Sequence, residues 1–343
     1  MTGSNGQSRL NDVRSSLPAQ LAASTTATAS GADRSERIFI HDLRLPGGRH
    51  DLEVRAYNGI NLLNFNRLSG TISSTYATLQ KPKLHAVVVG INDYENANLK
   101  LRYAVGDANA VAQLLERQLT NSGLYSGGQV VKLTTKAQTS KASITQALQD
   151  LHQVSRVGAD DVFILYVAGH GSYDADRGRY HMFSSDVLQL SEERLPVTSI
   201  GDEELQALVR NVPAQKKLVL LDTCDSGGAF ERLGAQAFMG RRGGLEEQSI
   251  IKNMKNRTGA TILAASNKQQ AALEGHEGHG VFTWAVLQAL GGAAARGGAA
   301  AVTTDDIKVF VEDQVPVITE KIFKIKQSPY SSSHGQGFPV VTR

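Results

Sequence analysis

Residues 217–230 read KLVLLDTCDSGGAF. An apolar run ends in an acid, a threonine and the only cysteine of the chain, and two glycines follow. Consecutive large apolar residues without polar alternation are the pattern of a strand covered on both faces, as in a parallel sheet. The pattern recurs in HAVVVGI (85–91), QVVKLT (129–134), DVFILYVAG (161–169) and ATILAAS (260–266). Between these runs lie helical stripes. Tyr103 to Leu119 carries Ala104, Ala108, Val111, Ala112 and Leu115 on one face, and Ser140 to Val154 carries Ile144, Leu148 and Leu151. Further helices are expected at Asp202 to Asn211, Val281 to Leu290 and Thr303 to Lys321. Strands alternating with helices predict an α/β fold in which a mainly parallel sheet has helices on both faces. In such sheets chemistry gathers at the carboxyl ends of the strands.

The chain before this region reads differently. Residues 1–35 are rich in Ser, Thr, Ala and Gly, as in LAASTTATASGAD, and supply little apolar surface to offset the entropy of ordering them, so they read as a disordered linker or tail. Residues 36–80 hold short β-like runs, IFIHDLRL and HDLEVRAYNG, punctuated by PGG and NG. They predict a short β-rich segment, the end of an Ig-like sandwich, with too few strands for a core of its own. The α/β domain is expected over 84–343. Thirty-six Lys and Arg against 33 Asp and Glu leave a net charge of +3, too small and dispersed for nucleic-acid binding, so the expected partner is a protein or small molecule. One cysteine forms no internal disulfide, no apolar run reaches the ~20 residues of a membrane span, and the N-terminus lacks a signal-peptide pattern. The reading is a cytoplasmic protein that needs no cofactor.

The run DVFILYVAGHGS sets His170 just past one buried strand, and KLVLLDTC sets Cys224 just past another, so both are expected at one edge of the sheet. A thiol with a pKa of about 8.5 needs a base to become the reactive thiolate. His170 can take that proton and return it to a leaving amine. Gly171 and Gly227 allow unusual backbone angles and close approach of a substrate. The backbone N–H groups of Gly171 and Cys224 are the expected oxyanion hole. A lone cysteine is ordinarily a small buried hydrophobe, and AGHG alone could be a turn. Both at glycine-flanked strand ends point to catalysis.

Taken in order, HAVVVGINDY, LRYAVGDANAVAQLL, DDVFILYVAGHG, LVLLDTCDSGG and ILAASNKQQAALEGHEGHGVFTWAVLQAL resemble the caspase-like cysteine peptidases, in particular bacterial relatives of metacaspases and paracaspases. The resemblance spans roughly 84–343. It implies the caspase-hemoglobinase fold, an α/β/α sandwich with a mainly parallel six-stranded sheet, and a peptide-hydrolysing dyad of His170 and Cys224. Cys224 follows His170 by 54 residues, close to the spacing of about 50 in caspases. Where relatives often carry His after the cysteine, this chain has Asp225, and a carboxylate there opposes thiolate formation.

The same resemblance implies that Asp107 and Asp222 line the first specificity pocket, which favours cleavage after Arg or Lys and repels acidic side chains. Gln270 and Glu274 are expected near that pocket. Some metacaspases bind Ca²⁺ in the region corresponding to Asp186, Asp202, Glu203 and Glu204, so Asp186, Asp202 and Glu203 are the candidate ligands should this chain do so, although no EF-hand spacing is present. His276 and His279, in EGHEGHG, read as part of a Gly-rich loop and not as metal ligands. Residues 229–258 correspond to the linker that many relatives cut in themselves, with Arg241, Arg242, Lys252, Lys255 and Arg257 as candidate cut sites and Arg242 the best of them. The rival expectation is a weakly active or inactive caspase-like interaction module.

Overall fold

A computed structural model of the chain describes residues 24–28, 36–40, 48–54, 68–74, 81–121, 123–153, 155–174, 179–191, 193–225, 258–265, 274–297, 299–333 and 337–342. The chain divides into two units, Met1–Gln80 and Lys81–Arg343. In the first, β1 (Ser24–Thr28) pairs antiparallel with β2 (Glu36–Ile40), and β3 (Gly48–Val54) with β4 (Leu68–Ser74). β1 lies inside the stretch read from composition as a linker. Its sequence, STTAT, carries three threonines, whose β-branched side chains favour extended backbone.

The second unit is built on β5 (Leu84–Gly90), β6 (Gly128–Leu133), β7 (Val162–Asp174), β10 (Lys216–Asp225) and β11 (Thr261–Ala264), all mutually parallel, with the antiparallel β15 (Tyr330–Ser332) at one edge. The order across the sheet is β15-β11-β10-β7-β5-β6. A side flap, β8 (Arg179–Phe183) and β9 (Ser199–Gly201), hangs from the distal end of β7. All seven residues of β5 are buried, as a strand covered on both faces requires. β6 departs from that expectation. Having one neighbour only, it is the other edge strand and buries Leu133 alone.

Alternation along β7 divides the interior into two cores. Phe163, Leu165 and Val167 face one, with Ile144, Leu148 and Leu151 of α2 (Lys141–Gln153) and Leu205, Leu208 and Val209 of α4 (Asp202–Asn211). Val162, Ile164, Tyr166 and Ala168 face the other, with the predicted stripe of α1 (Ala104–Asn121), with α5 (Val281–Gln288) and with α6 (Thr304–Phe323). The short α3 (Leu195–Thr198) precedes β9. α6 begins with a capping box between Thr303 and Asp306, and α5 runs on into a π turn at Ala289–Ala293. Because α1 and α2 lie on opposite faces, the chain reverses its direction of travel across the sheet between β5 and β7. Crevices open at the carboxyl ends of strands at such a reversal.

Candidate active site

Three chain segments meet at that end of the sheet: the loop after β5, the distal part of β7 and the end of β10. His170 and Cys224 are register partners in the parallel ladder, so their backbones stand at the same level on adjacent strands, roughly 4.8 Å apart in a sheet. Neither residue lies past its strand, as the sequence suggested. β7 continues to Asp174 and β10 to Asp225, because β8 folds back on β7 and pairs Gly171 with Met182. Gly171 does not take a left-handed backbone angle; a side chain there would meet the Tyr180 phenol, 2.8 Å from the position of its Cβ. That phenol shares a 2.5 Å hydrogen bond with Thr223, which ties β8 to the residue before the cysteine.

The orientation of His170 comes from the loop. The phenolic oxygen of Tyr94 accepts the His170 backbone N–H at 2.9 Å, and the rings of Tyr94 and Phe183 lie 5.2 and 6.4 Å from the imidazole. Nε2 is 2.9 Å from the carbonyl oxygen of Leu99. A carbonyl only accepts, so Nε2 carries the hydrogen and Nδ1 is the basic nitrogen. The carbonyl is itself held. Leu99 is buried and closes a 3₁₀ turn, Ala97–Leu99, capped by the Asn96 side chain. Asn92 accepts from Val105 at the start of α1 and donates to the Arg102 carbonyl, so the loop is laced to the helix that follows.

A second cluster lies beside this one. Asp107, in the first turn of α1, and Asp222, two residues before Cys224, are 2 and 8 % exposed. Gly280 lies between them. A Cβ added there would be 3.2 Å from Asp222 Oδ2 and 3.3 Å from Asp107 Oδ2. Asp107 accepts from the Gly280 N–H at 3.1 Å and bonds His279 Nδ1 at 2.5 Å. Asp222 accepts from the Thr283 hydroxyl, which in turn takes the Tyr166 phenolic hydrogen across 2.5 Å. Burial, and then the negative charge of Asp107, push the Asp222 carboxyl up to about 7 against the opposing hydrogen bonds from Thr283. Burial and both carboxylates likewise hold the Tyr166 phenol well above its ordinary range.

A histidine and a cysteine on adjacent strand ends, with buried acids alongside, frame a nucleophile, a base and a cation-binding pocket. A family model described as the caspase domain matches residues 83–338. The chain belongs to the caspase family. No curated protein matches it significantly. Membership makes cysteine peptidase hydrolysis the general chemistry of the site.

Within the caspase domain, Glu274 opens β12 (Glu274–His276) opposite Gly280 of β13 (His279–Gly280), so its backbone borders the acid pair. The segment read as a loop is this short hairpin, and its tight turn uses left-handed backbone at Glu277 and Gly278. Gln270 and the linker residues Arg241, Arg242, Lys252, Lys255 and Arg257 lie outside the described residues, as does Gly227. The candidate calcium ligands are otherwise engaged. Asp186 accepts the Lys141 N–H at the start of α2, and Arg179 approaches Glu203 at 2.8 Å and Asp202 at 3.7 Å, while Glu204 pairs with Lys141. Among the described residues no three His, Cys, Asp or Glu side chains gather as around a metal. Nor is any described helix long and apolar enough to cross a membrane.

Sequence reasoning missed Tyr94, the Leu99 carbonyl, Thr283 and His279. HAVVVGINDY and GHGVFTWAV contain three of these side chains, yet the pattern alone does not say which of them turn inward.

Proposed function

We propose that this chain is a cysteine endopeptidase that cuts after arginine, and by the same charge logic after lysine, with His170 and Cys224 as its dyad. The register pairing of these residues supports the dyad. His170 Nδ1 takes the thiol proton and the thiolate attacks the scissile carbonyl. The imidazolium, its Nε2–H held by the Leu99 carbonyl, then protonates the leaving amine, and a thioester remains. Water, deprotonated by the same imidazole, hydrolyses the thioester. On this reading the oxyanion donors are the backbone N–H groups of Gly171 and Cys224.

The convergence of Asp107 and Asp222 on Gly280 is the observation that carries the specificity. Two acids pressed together out of water repel each other, which the raised Asp222 reflects, and a guanidinium relieves the repulsion while finding acceptors for its fork of N–H groups. An aspartate in that pocket would add a third negative charge. An electrophilic peptide ketone ending in arginine should therefore label wild-type protein and leave Cys224→Ala unlabelled. Labelling by the aspartate analogue in preference to the arginine one would end this reading. Such an enzyme also finds substrates in its own 229–258 segment, where Arg242 precedes two glycines.

A further inference from the structure

The hairpin carrying His279 is not part of the dyad, yet it closes on one of the acids. Asp107 is held by two consecutive residues of β13 in different ways. Its Oδ2 accepts a backbone N–H, from Gly280 at 3.1 Å, and its Oδ1 bonds a side chain, His279 Nδ1, at 2.5 Å. The backbone donor is fixed. The hairpin is anchored by the Trp284 Nε1–H to Glu277 bond of 2.9 Å and by the His276 ring standing edge-on to Trp284 at 4.9 Å. Asp107 is fixed too, with 3 % of its side chain exposed, in a helix whose inner stripe is packed on the sheet. The His279 side chain, 27 % exposed, reaches solvent and can swing outward without opening the core.

We propose that His279 is the resident counter-ion of Asp107 in the empty specificity pocket, and that the basic side chain of the substrate displaces it from Oδ1. This rests on reading Asp107 and Asp222 as that pocket. The displaced acid keeps its Gly280 bond and offers Oδ1 to a guanidinium N–H. Protonated His279 lowers the negative charge that attracts the substrate and must be expelled from its place, whereas neutral His279 leaves both carboxylate charges to the ligand. The ionisable groups around the ring's end of the hairpin are Asp107 from α1, Tyr103 just before it, Asp222 from β10, Tyr166 of β7 through Thr283, and His276 and Glu277 on the hairpin itself. Of these, Asp222 also gains negative charge as pH rises near neutrality, so the test separates the two.

The test is steady-state kinetics on a fluorogenic peptide with arginine before the cut, at pH 6 and pH 8.5, for wild type, His279→Asn and Asp222→Asn. The asparagine amide nitrogen stands as many bonds from Cα as Nδ1 and donates a hydrogen bond but cannot ionise. His279→Gln serves as a second variant, and Cys224 alkylation by uncharged iodoacetamide checks that the site is folded. For His279→Asn, KM at pH 6 should fall about fivefold, as expected when a competing state holding four-fifths of the pocket is removed. At pH 8.5 the two enzymes should agree within about twofold, with kcat unchanged. Asp222→Asn should instead weaken binding at both pH values. An unchanged KM at pH 6 in His279→Asn and His279→Gln overturns the proposal, and so does a KM raised at both pH values, which would mean that the ring merely props Asp107. A wild type that cuts no arginine peptide removes the pocket reading and this proposal together, whereas arginine cleavage with an unmoved KM removes this proposal alone.

Discussion

Replacing Asp222 by asparagine should move stability and activity in opposite directions. The carboxyl is pushed from 3.8 to about 7 by burial and by Asp107. Its folded-state pKa lies above the unfolded one. Between about pH 4 and 7 the unfolded chain has lost this proton and the folded chain has kept it, so stability falls as pH rises through that window, and the full penalty stands above about pH 7. A shift of roughly three pH units corresponds to ~4 kcal/mol as an upper bound. Asparagine retains an oxygen for the Thr283 hydroxyl and removes the charge. If half of the penalty is recovered, the melting temperature of Asp222→Asn should exceed that of wild type by about 5 °C at pH 8. The difference should shrink towards zero at pH 4.5. Over the same comparison kcat/KM for an arginine peptide should fall by about 10- to 100-fold at pH 8, the cost of losing a charge-assisted bond worth roughly 1.5–3 kcal/mol. Differential scanning fluorimetry across pH and peptide kinetics read the two quantities separately. A variant that is less stable than wild type at pH 8, or one that cuts arginine peptides undiminished, would refute the electrostatic account of the pocket.

Cys224→Ala and His170→Ala should each lower turnover by at least about a thousandfold with circular dichroism unchanged, since removing a nucleophile or its base leaves only substrate binding and electrostatic stabilisation; near wild-type rates in either would remove the dyad assignment. Tyr94→Phe takes away the acceptor of the His170 N–H, so it should cost about 1–3 kcal/mol of stability by urea unfolding and slow kcat more than it raises KM. Gly280→Ala would bring a methyl against both carboxylates, and arginine-peptide kcat/KM should drop at least about tenfold with iodoacetamide labelling of Cys224 unaffected, a factor that corresponds to ~1.4 kcal/mol. Incubated wild-type protein should yield fragments, by mass spectrometry, cut after Arg or Lys within 229–258 and absent from Cys224→Ala; an intact chain that hydrolyses added peptides would show that activity does not need the cut.

Much of the scaffold was written locally. KLVLLD, DVFILYVAG and HAVVVGI are apolar without alternation, and a segment with that composition has no stable place except between two covered faces, so the parallel sheet and the placement of His170 and Cys224 near strand ends could be read before any coordinates. The stripes of α1 and α2 followed from helical periodicity for the same reason. Local pattern was misleading where pairing decides the outcome. QVVKLT has the composition of a central strand, yet it lies at an edge, because the number of neighbours is a property of the whole sheet. AGHG looks like the end of a strand, yet β7 runs on through it because β8 returns to pair with it.

The chemistry of the pocket was beyond the reach of any window along the chain. Asp107 and His279 are separated by 172 residues, and Asp222 and Thr283 by 61. A buried carboxylate, its pKa and its hydrogen-bond donors are set by which distant groups the packed helices bring within about 3 Å, and composition carries no record of that distance. Residue types and their periodicity were enough to determine the strands, the helical stripes and the two residues at the strand ends. Only the tertiary structure decided that Asp107, Asp222 and His279 share one buried place, because electrostatic coupling depends on separation in space and on the exclusion of water, both of which arise when α1, β10 and the 274–280 hairpin close on one another.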